Sequence, residues 1–254
     1  MKIVLINYSG NVGKTTLAVH LFSPRMGAVE FVAVETVNAS DADTAGLTVA
    51  QVQGKQFEPI FERLLTQDNL IIDVGASNAE AFMLKMGQYE GAAAMLDLFV
   101  VPVVPGGKQQ MDTMTTIDAL ALMQVPKHKI RVVFNRADPA DPLEVAFRQL
   151  LGYAASGGKD KATFSNEAII YENEVYEISK YLNKTVEQVQ ADPTDYRALL
   201  AKAQADKDGH ARTQAVKMLT AKALAGSAQR NLNEVYQVLT RATPASAKLA
   251  KAAA

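Results

Sequence analysis

The sequence predicts an α/β protein: a mainly parallel, twisted sheet flanked by helices, with a helical C-terminal extension. Three observations predict it. Short apolar runs rich in β-branched residues recur along the first 135 residues, and longer stretches with helical patterning separate them. The apolar runs are nearly continuous, as expected of strands buried on both faces. After about residue 150 the alternation stops and helical segments continue alone.

The expected strands are KIVLIN (2–7), VEFVAV (29–34), NLIIDV (69–74), LFVVPVV (98–104) and KIRVVFN (129–135). Helical patterning follows the first in TTLAVHLF and precedes the third in FEPIFERLL. AEAFMLKMGQYEGAAAML precedes the fourth strand and DTMTTIDALALM the fifth. YAASGGKDK (153–161) is expected to be an exposed loop, with ATFSN a last short strand. NEVYEISKYLNKTVEQVQ and the segments from Tyr196 to Arg241 are expected to be helical. Leu232, Val235, Tyr236 and Leu239 form a stripe at i, i+3, i+4 and i+7, which must pack on something. The implied division is a core domain over 1–185, a helical extension over 186–242 packed on it, and a disordered tail over 243–254 of low-complexity sequence.

A chain of 254 residues with 48% hydrophobic residues can bury a sizeable core without covalent staples. It has no cysteine, which excludes disulfides, thiolate metal sites and cysteine nucleophiles and fits a reducing cytoplasm. His20, His128 and His210 have no partner at metal-ligand spacing. The start, MKIVLINYSG, has too short an apolar run for a signal peptide, and no stretch is long enough to span a membrane. The formal net charge is −1, but it is unevenly spread. From Arg197 onward there are ten Lys/Arg against three Asp/Glu, a basic surplus that points to a polyanionic partner.

The chemistry-bearing stretch is INYSGNVGKTT (6–16), set between a strand and an apolar-periodic helix. That context makes it a phosphate-binding loop. Ser9, Gly10, Asn11, Val12, Gly13, Lys14, Thr15 and Thr16 would cradle phosphate oxygens with backbone N–H groups. Lys14 would add a cation to the β- and γ-phosphates, and the Thr15 hydroxyl would ligate Mg²⁺. Asp73 ends the run LIID, where a carboxylate serves the metal, and Gly75 follows it. Asn135, with Arg136, ends the fifth strand in FNRAD, where its amide could meet a base edge.

Together these segments resemble the ParA/MinD family of deviant-Walker P-loop ATPases, over roughly residues 1 to 150. Within that family, INYSGNVGKTT and DPTDYR resemble plasmid stability proteins of the StbB type. Besides the loop, DVGA (73–76) resembles the family's second switch, DLFVVPVVPG its fourth-strand segment, and Asn135-Arg136 its adenine-contacting pair. The resemblance implies a bacterial cytoplasmic ATPase with ATP and Mg²⁺, a nucleotide-dependent homodimer, and a DNA-bound adaptor protein as partner. It also implies non-specific DNA binding through the basic C-terminal region, and Glu35, at the family's second aspartate position, as the water-positioning carboxylate beside Lys14 and Asp73. Two positions depart from the family pattern. Ser9 stands where members carry a signature lysine that reaches the partner's phosphates, and Asn11 replaces a glycine. Asparagine tolerates a left-handed backbone, so the loop can fold, whereas serine can supply no trans charge. Slow hydrolysis is the consequence.

Other readings of the same residues are a GTP-binding switch, since Asn135-Arg136-Ala137-Asp138 also resembles a guanine reader, a P-loop small-molecule kinase or ligase, and a nucleotide-bound scaffold without turnover. The basic residues Arg197, Lys202, Lys207, Arg212, Lys217 and Lys222 recur every five positions. That spacing advances about 140° per step on a helix, so they spread around it instead of forming one stripe.

Overall fold

The computed structural model describes residues 1–35, 47–53 and 56–241. Residues 36–46, which follow Glu35 in the family comparison, and the tail 243–254 lie outside the described residues. Seven strands form one sheet: β1 (Lys2–Leu5), β2 (Glu30–Val34), β3 (Val49–Val52), β4 (Leu70–Val74), β5 (Leu98–Val103), β6 (Ile130–Ala137) and β7 (Ile169–Tyr171). Their spatial order is β3-β2-β4-β1-β5-β6-β7, and each pairing is parallel. β1 lies between β4 and β5, so the chain winds to one side of it and then crosses to the other. The crevice beyond the carboxyl end of β1 is the topological switch point, where α/β sheets bind ligands. The architecture is a parallel sheet flanked by helices, with helices continuing alone after β7.

Both faces of the sheet are covered, which is why its strands read as unbroken apolar runs. On one face Val4, Ile6, Ile72, Phe99 and Val101 are buried. They pack against α2 (Glu58–Thr66), α3 (Ala79–Gln88), α4 (Ala92–Met95), α5 (Gly107–Leu122), α6 (Leu143–Ala146) and α7 (Arg148–Ala155). On the other face the alternate residues Ile3, Leu5, Ile71 and Val100 are buried. Their cover is α1 (Lys14–Leu17) with its π-helical continuation Ala18–Phe22, α8 (Val175–Tyr181), α9 (Val186–Ala191) and α11 (Gly209–Thr240). α10 (Tyr196–Ala205) packs against α11.

The 32-residue α11 is the longest helix of that second layer. Leu232, Val235 and Leu239 are buried, and Tyr236 is partly buried with its ring edge-on to Phe22 at 5.9 Å. The stripe continues N-terminally as Ala221, Ala225 and Ala228, all buried. Small side chains there let the helix backbone approach its neighbours closely, and alanine gives little periodic hydrophobic signal in the sequence.

Several expectations need correction. VAQV (49–52) forms an edge strand that the sequence reading missed; only Val52 in it is buried, so it carries no continuous apolar run. The AEAF…AAAML helix divides into α3 and α4 around Gly91, whose φ of 81° an L-residue adopts only with strain. Tyr153–Ala155 are the end of α7 instead of loop, with Ala154 buried. ATFSN contributes a single bridge, Thr163 to Arg131; the last strand lies further on, where Phe134 pairs with Ile169 and Ala137 with Tyr171. Each of the two expected helical stretches, 173–190 and 196–241, is broken once. One break precedes α9, where Thr185 and Gln188 form a reciprocal capping box; the other follows α10, where Lys207 has φ 54° and Asp208 caps α11.

Candidate nucleotide-binding site

Asn7 leaves the end of β1 with its side chain fully buried. Its amide donates to Pro102 O at 2.8 Å and to Thr113 Oγ1 at 2.7 Å, and its Oδ1 accepts from Ser9 N at 2.8 Å. Thr116, one turn from Thr113 on α5, accepts from Tyr8 N at 3.0 Å. This buried polar knot fixes where the loop leaves the sheet. The sequence reading did not assign Asn7, Thr113 or Thr116 a role. The available signals were a polar residue ending an apolar strand and two threonines at i, i+3 on one helix face.

From there the loop turns through left-handed backbone at Asn11 (φ 57°) and Gly13 (φ 88°). A Cβ on Gly13 would lie 2.2 Å from Asn135 Nδ2, so glycine is needed there on two counts. The first helical bond of α1 is Leu17 N to Gly13 O at 3.0 Å. The N–H groups of Lys14, Thr15 and Thr16 precede it, as in any helix N-terminus suited to phosphate.

Lys14, Thr15, Asp73 and Glu35 converge below this loop. Thr15 Oγ1 donates to Asp73 Oδ2 at 2.5 Å. Asp73 reaches that point because register pairs it with Leu5 of β1 and Ala33 of β2. Lys14 is buried, and its ammonium donates to Ser9 O at 2.9 Å and Asn7 O at 3.4 Å. Burial pushes its pKa down, while the charges of Asp73 and Glu35 pull it back up. Glu35 directly follows β2, its N–H on Val52 O and its Cγ close to Gly75. A hydroxyl and a carboxylate at hydrogen-bond distance form an all-oxygen donor pair suited to Mg²⁺, with phosphate and water completing the shell. Among the described residues no cluster of three or more His, Cys, Asp or Glu could hold a metal by itself.

Two residues sit differently from the roles expected of them. Ser9 is buried against α5: Asp112 is held below the usual carboxylate range chiefly by Lys108, with the Ser9 hydroxyl contributing. It is therefore tied within its own chain. Asn135 is buried too, and its Nδ2 donates to Val12 O at 2.8 Å. One of its two amide N–H donors thus holds the loop from behind. Asn135 still borders a cavity of about 500 Å³ that also touches Thr16, Arg136, Asp138 and the segment Tyr171–Glu177 after β7. Arg136 is exposed at φ 53°, and the Asp138 carboxylate accepts from Ala140 N at 2.8 Å, closing a turn. The segment after β7 was not anticipated as part of a site, because nothing in its sequence announces that β7 brings it beside β6.

No family model and no curated protein matches this chain. Solved structures resemble it at low identity. MinD of Aquifex aeolicus is 14% identical over 95% of this chain and 98% of that one, with a TM-score of 0.49. The MinC:MinD complex of Aquifex aeolicus gives 17%, 88%, 95% and 0.47 on the same measures. The ATP complex of a single-site variant of Cyanothece McdA gives 12%, 74%, 90% and 0.45. At this identity and these TM-scores they assign no role to any residue here.

His20, in the π-helical turn after α1, joins the site to the C-terminal layer. Its Nδ1 accepts from Val186 N, at the start of α9, at 3.2 Å, and burial lowers its pKa to about 4. The unfolded chain binds a proton near pH 6.5 and the folded one does not. Stability is therefore complete above about pH 6.5 and declines as pH falls toward 4. We expect a loss of roughly 2 kcal/mol between pH 7 and pH 5 from this group. Urea melts of wild type and His20→Gln at both pH values check it: the pH-dependent difference between the two proteins must vanish if His20 titrates normally.

Proposed function

We propose that the chain is an ATP-binding, slowly hydrolysing ATPase of the ParA/MinD type, a nucleotide-dependent switch in plasmid stability, partition or positioning. The observation that carries the reading is the Thr15–Asp73 pair, with buried Lys14 beside it, under a left-handed loop at the switch point of the sheet. Backbone N–H groups of residues 10–16 would bind the phosphates, and Lys14 would exchange its loop carbonyls for phosphate oxygens. Thr15 and Asp73 would hold Mg²⁺, which when bound neutralises phosphate charge. Glu35 would be the carboxylate that orients a water, and Thr16 and Arg136, which border the cavity, would serve sugar and base.

The core over 1–185 would carry the nucleotide chemistry and the extension over 186–242 the contact with a DNA-bound partner. A nucleotide-dependent homodimer is part of this reading, to be checked by light scattering with and without ATP·Mg²⁺. Among the described residues no helix is long and apolar enough to cross a membrane.

Adenine is favoured over guanine because the loop and the strand-end segments resemble the ParA family, while Asp138 is the residue that would serve a guanine reader. Calorimetric competition should therefore show ATP displacing a labelled nucleotide more tightly than GTP. Turnover should stay below about 1 s⁻¹, since Ser9 supplies no trans cation of the kind that contributes about 10³-fold or more. Tighter GTP binding would refute the adenine assignment, and fast intrinsic turnover the slow-switch reading.

A further inference from the structure

Away from the loop, α8, α10 and α11 enclose a groove of about 620 Å³. Its floor is apolar and well packed: Ala203, Ala215 and Met218 are buried. Its walls are not. Tyr181 and Leu199 are 70% and 47% exposed, so large apolar side chains from two elements line one cavity without being covered. Lys184, Lys202 and Lys217 stand around it, one from each element or its flank.

We propose that this groove docks an acidic amphipathic helix of a partner protein. The proposal deepens the partner half of the reading above and rests on it for the biological setting alone. Two features select this occupant. The cavity is apolar, which a duplex phosphate backbone cannot use and an apolar helix face at i, i+3, i+4 and i+7 can. The charged lining has a small basic surplus, Lys184, Lys202 and Lys217 against Asp206 and Asp208, and Lys202 is exposed at the rim. Of the two rim carboxylates, Asp206 and Asp208, the second caps α11 by accepting from Ala211 N at 2.9 Å.

The placement of the basic residues also argues against a DNA-facing stripe. Lys217 Nζ sits 3.8 Å from the centre of the Tyr181 ring, and Lys222 Nζ donates to Asp192 O. Both turn toward their own helical layer. Lys184 is paired with Asp192 at 2.7 Å and also borders the smaller cavity beside Thr15, Thr16 and His20. One residue thus touches both the groove and the flank of the nucleotide site, a contact through which occupancy of one can bias the other.

The test is a selection from a displayed random 16-residue peptide library against the full chain, counter-selected on Leu199→Asp. Leu199 is half-exposed, so this variant should fold, and far-UV circular dichroism melting checks that it does. The expected consensus is Asp/Glu-rich with Leu, Ile or Phe at helical spacing, and a synthetic consensus peptide should bind at least about tenfold more weakly to Leu199→Asp and to Lys202→Glu. Absence of a consensus, a basic consensus, or equal binding to Leu199→Asp would each overturn the proposal. So would either of two further outcomes: loss of random-duplex binding in Lys202→Glu without any peptide binding, or a dimer of the wild type that Leu199→Asp dissociates. Lys14→Ala should leave peptide binding to the nucleotide-free chain intact, so failure of the nucleotide reading and failure of the groove are read in separate assays.

Discussion

Lys14→Ala should lower affinity for ATP·Mg²⁺ by at least about a hundredfold, roughly 2.7 kcal/mol. The ammonium is buried beneath a loop whose carbonyls at Ser9 and Asn7 it already satisfies, within the field of Asp73 and Glu35. Bonds from a charged donor to phosphate are worth about 1.5–3 kcal/mol each, and alanine removes them together with the local positive charge. The two carboxylates would then face the phosphates without a cation from α1. Isothermal calorimetry on the variant, with circular dichroism to confirm folding, gives the answer. Wild-type affinity there would remove the basis for assigning the loop to nucleotide.

Leu232→Ala should destabilise the protein by about 2–5 kcal/mol, the range for truncating a fully buried leucine. Leu232 has no exposed surface and sits in the cluster that joins α11 to Leu5, Phe22 and Val133. Val216→Ala, on the same helix but 44% exposed, should change stability by less than about 0.5 kcal/mol. Urea midpoints with unchanged slopes check both. If Leu232→Ala shifts the midpoint no more than Val216→Ala does, α11 is not part of the folding core. The same packing bears on truncation: ending the chain after Asn183 removes α9, α10 and α11 and uncovers Ile3, Leu5 and Val100. Loss of DNA or partner binding in such a fragment would report unfolding, so charge reversal at exposed Lys202 is the cleaner probe.

The sequence showed the loop because its signal is local. Strand, Gly13-Lys14-Thr15 and apolar helix are contiguous, and the left-handed turn at position 11 is legible from asparagine's tolerance of positive φ. The doubly covered sheet was legible for a similar reason: burial on both faces erases the alternation of strands such as LIIDV and LFVVPV. By contrast, VAQV at the sheet edge has one neighbour and mixed exposure, and the alanine stripe of α11 carries too little hydrophobic contrast to mark a buried face.

What the sequence by itself determined, then, is the set of local features: the five strands buried on both faces, the loop, and the identity of the residues that end those strands. Only the tertiary structure decided what those residues face. The register of β1, β2 and β4 brings Asp73 to Thr15 and Glu35 near Lys14, across separations of 58 and 21 positions that no local pattern encodes. Packing against the loop engages Asn135 with Val12 O, and packing against α5 turns Ser9 toward Asp112. Position along the chain assigns a side chain to a strand end; the hydrogen-bond partner it meets there depends on which strand and helix lie alongside, and long-range packing sets that.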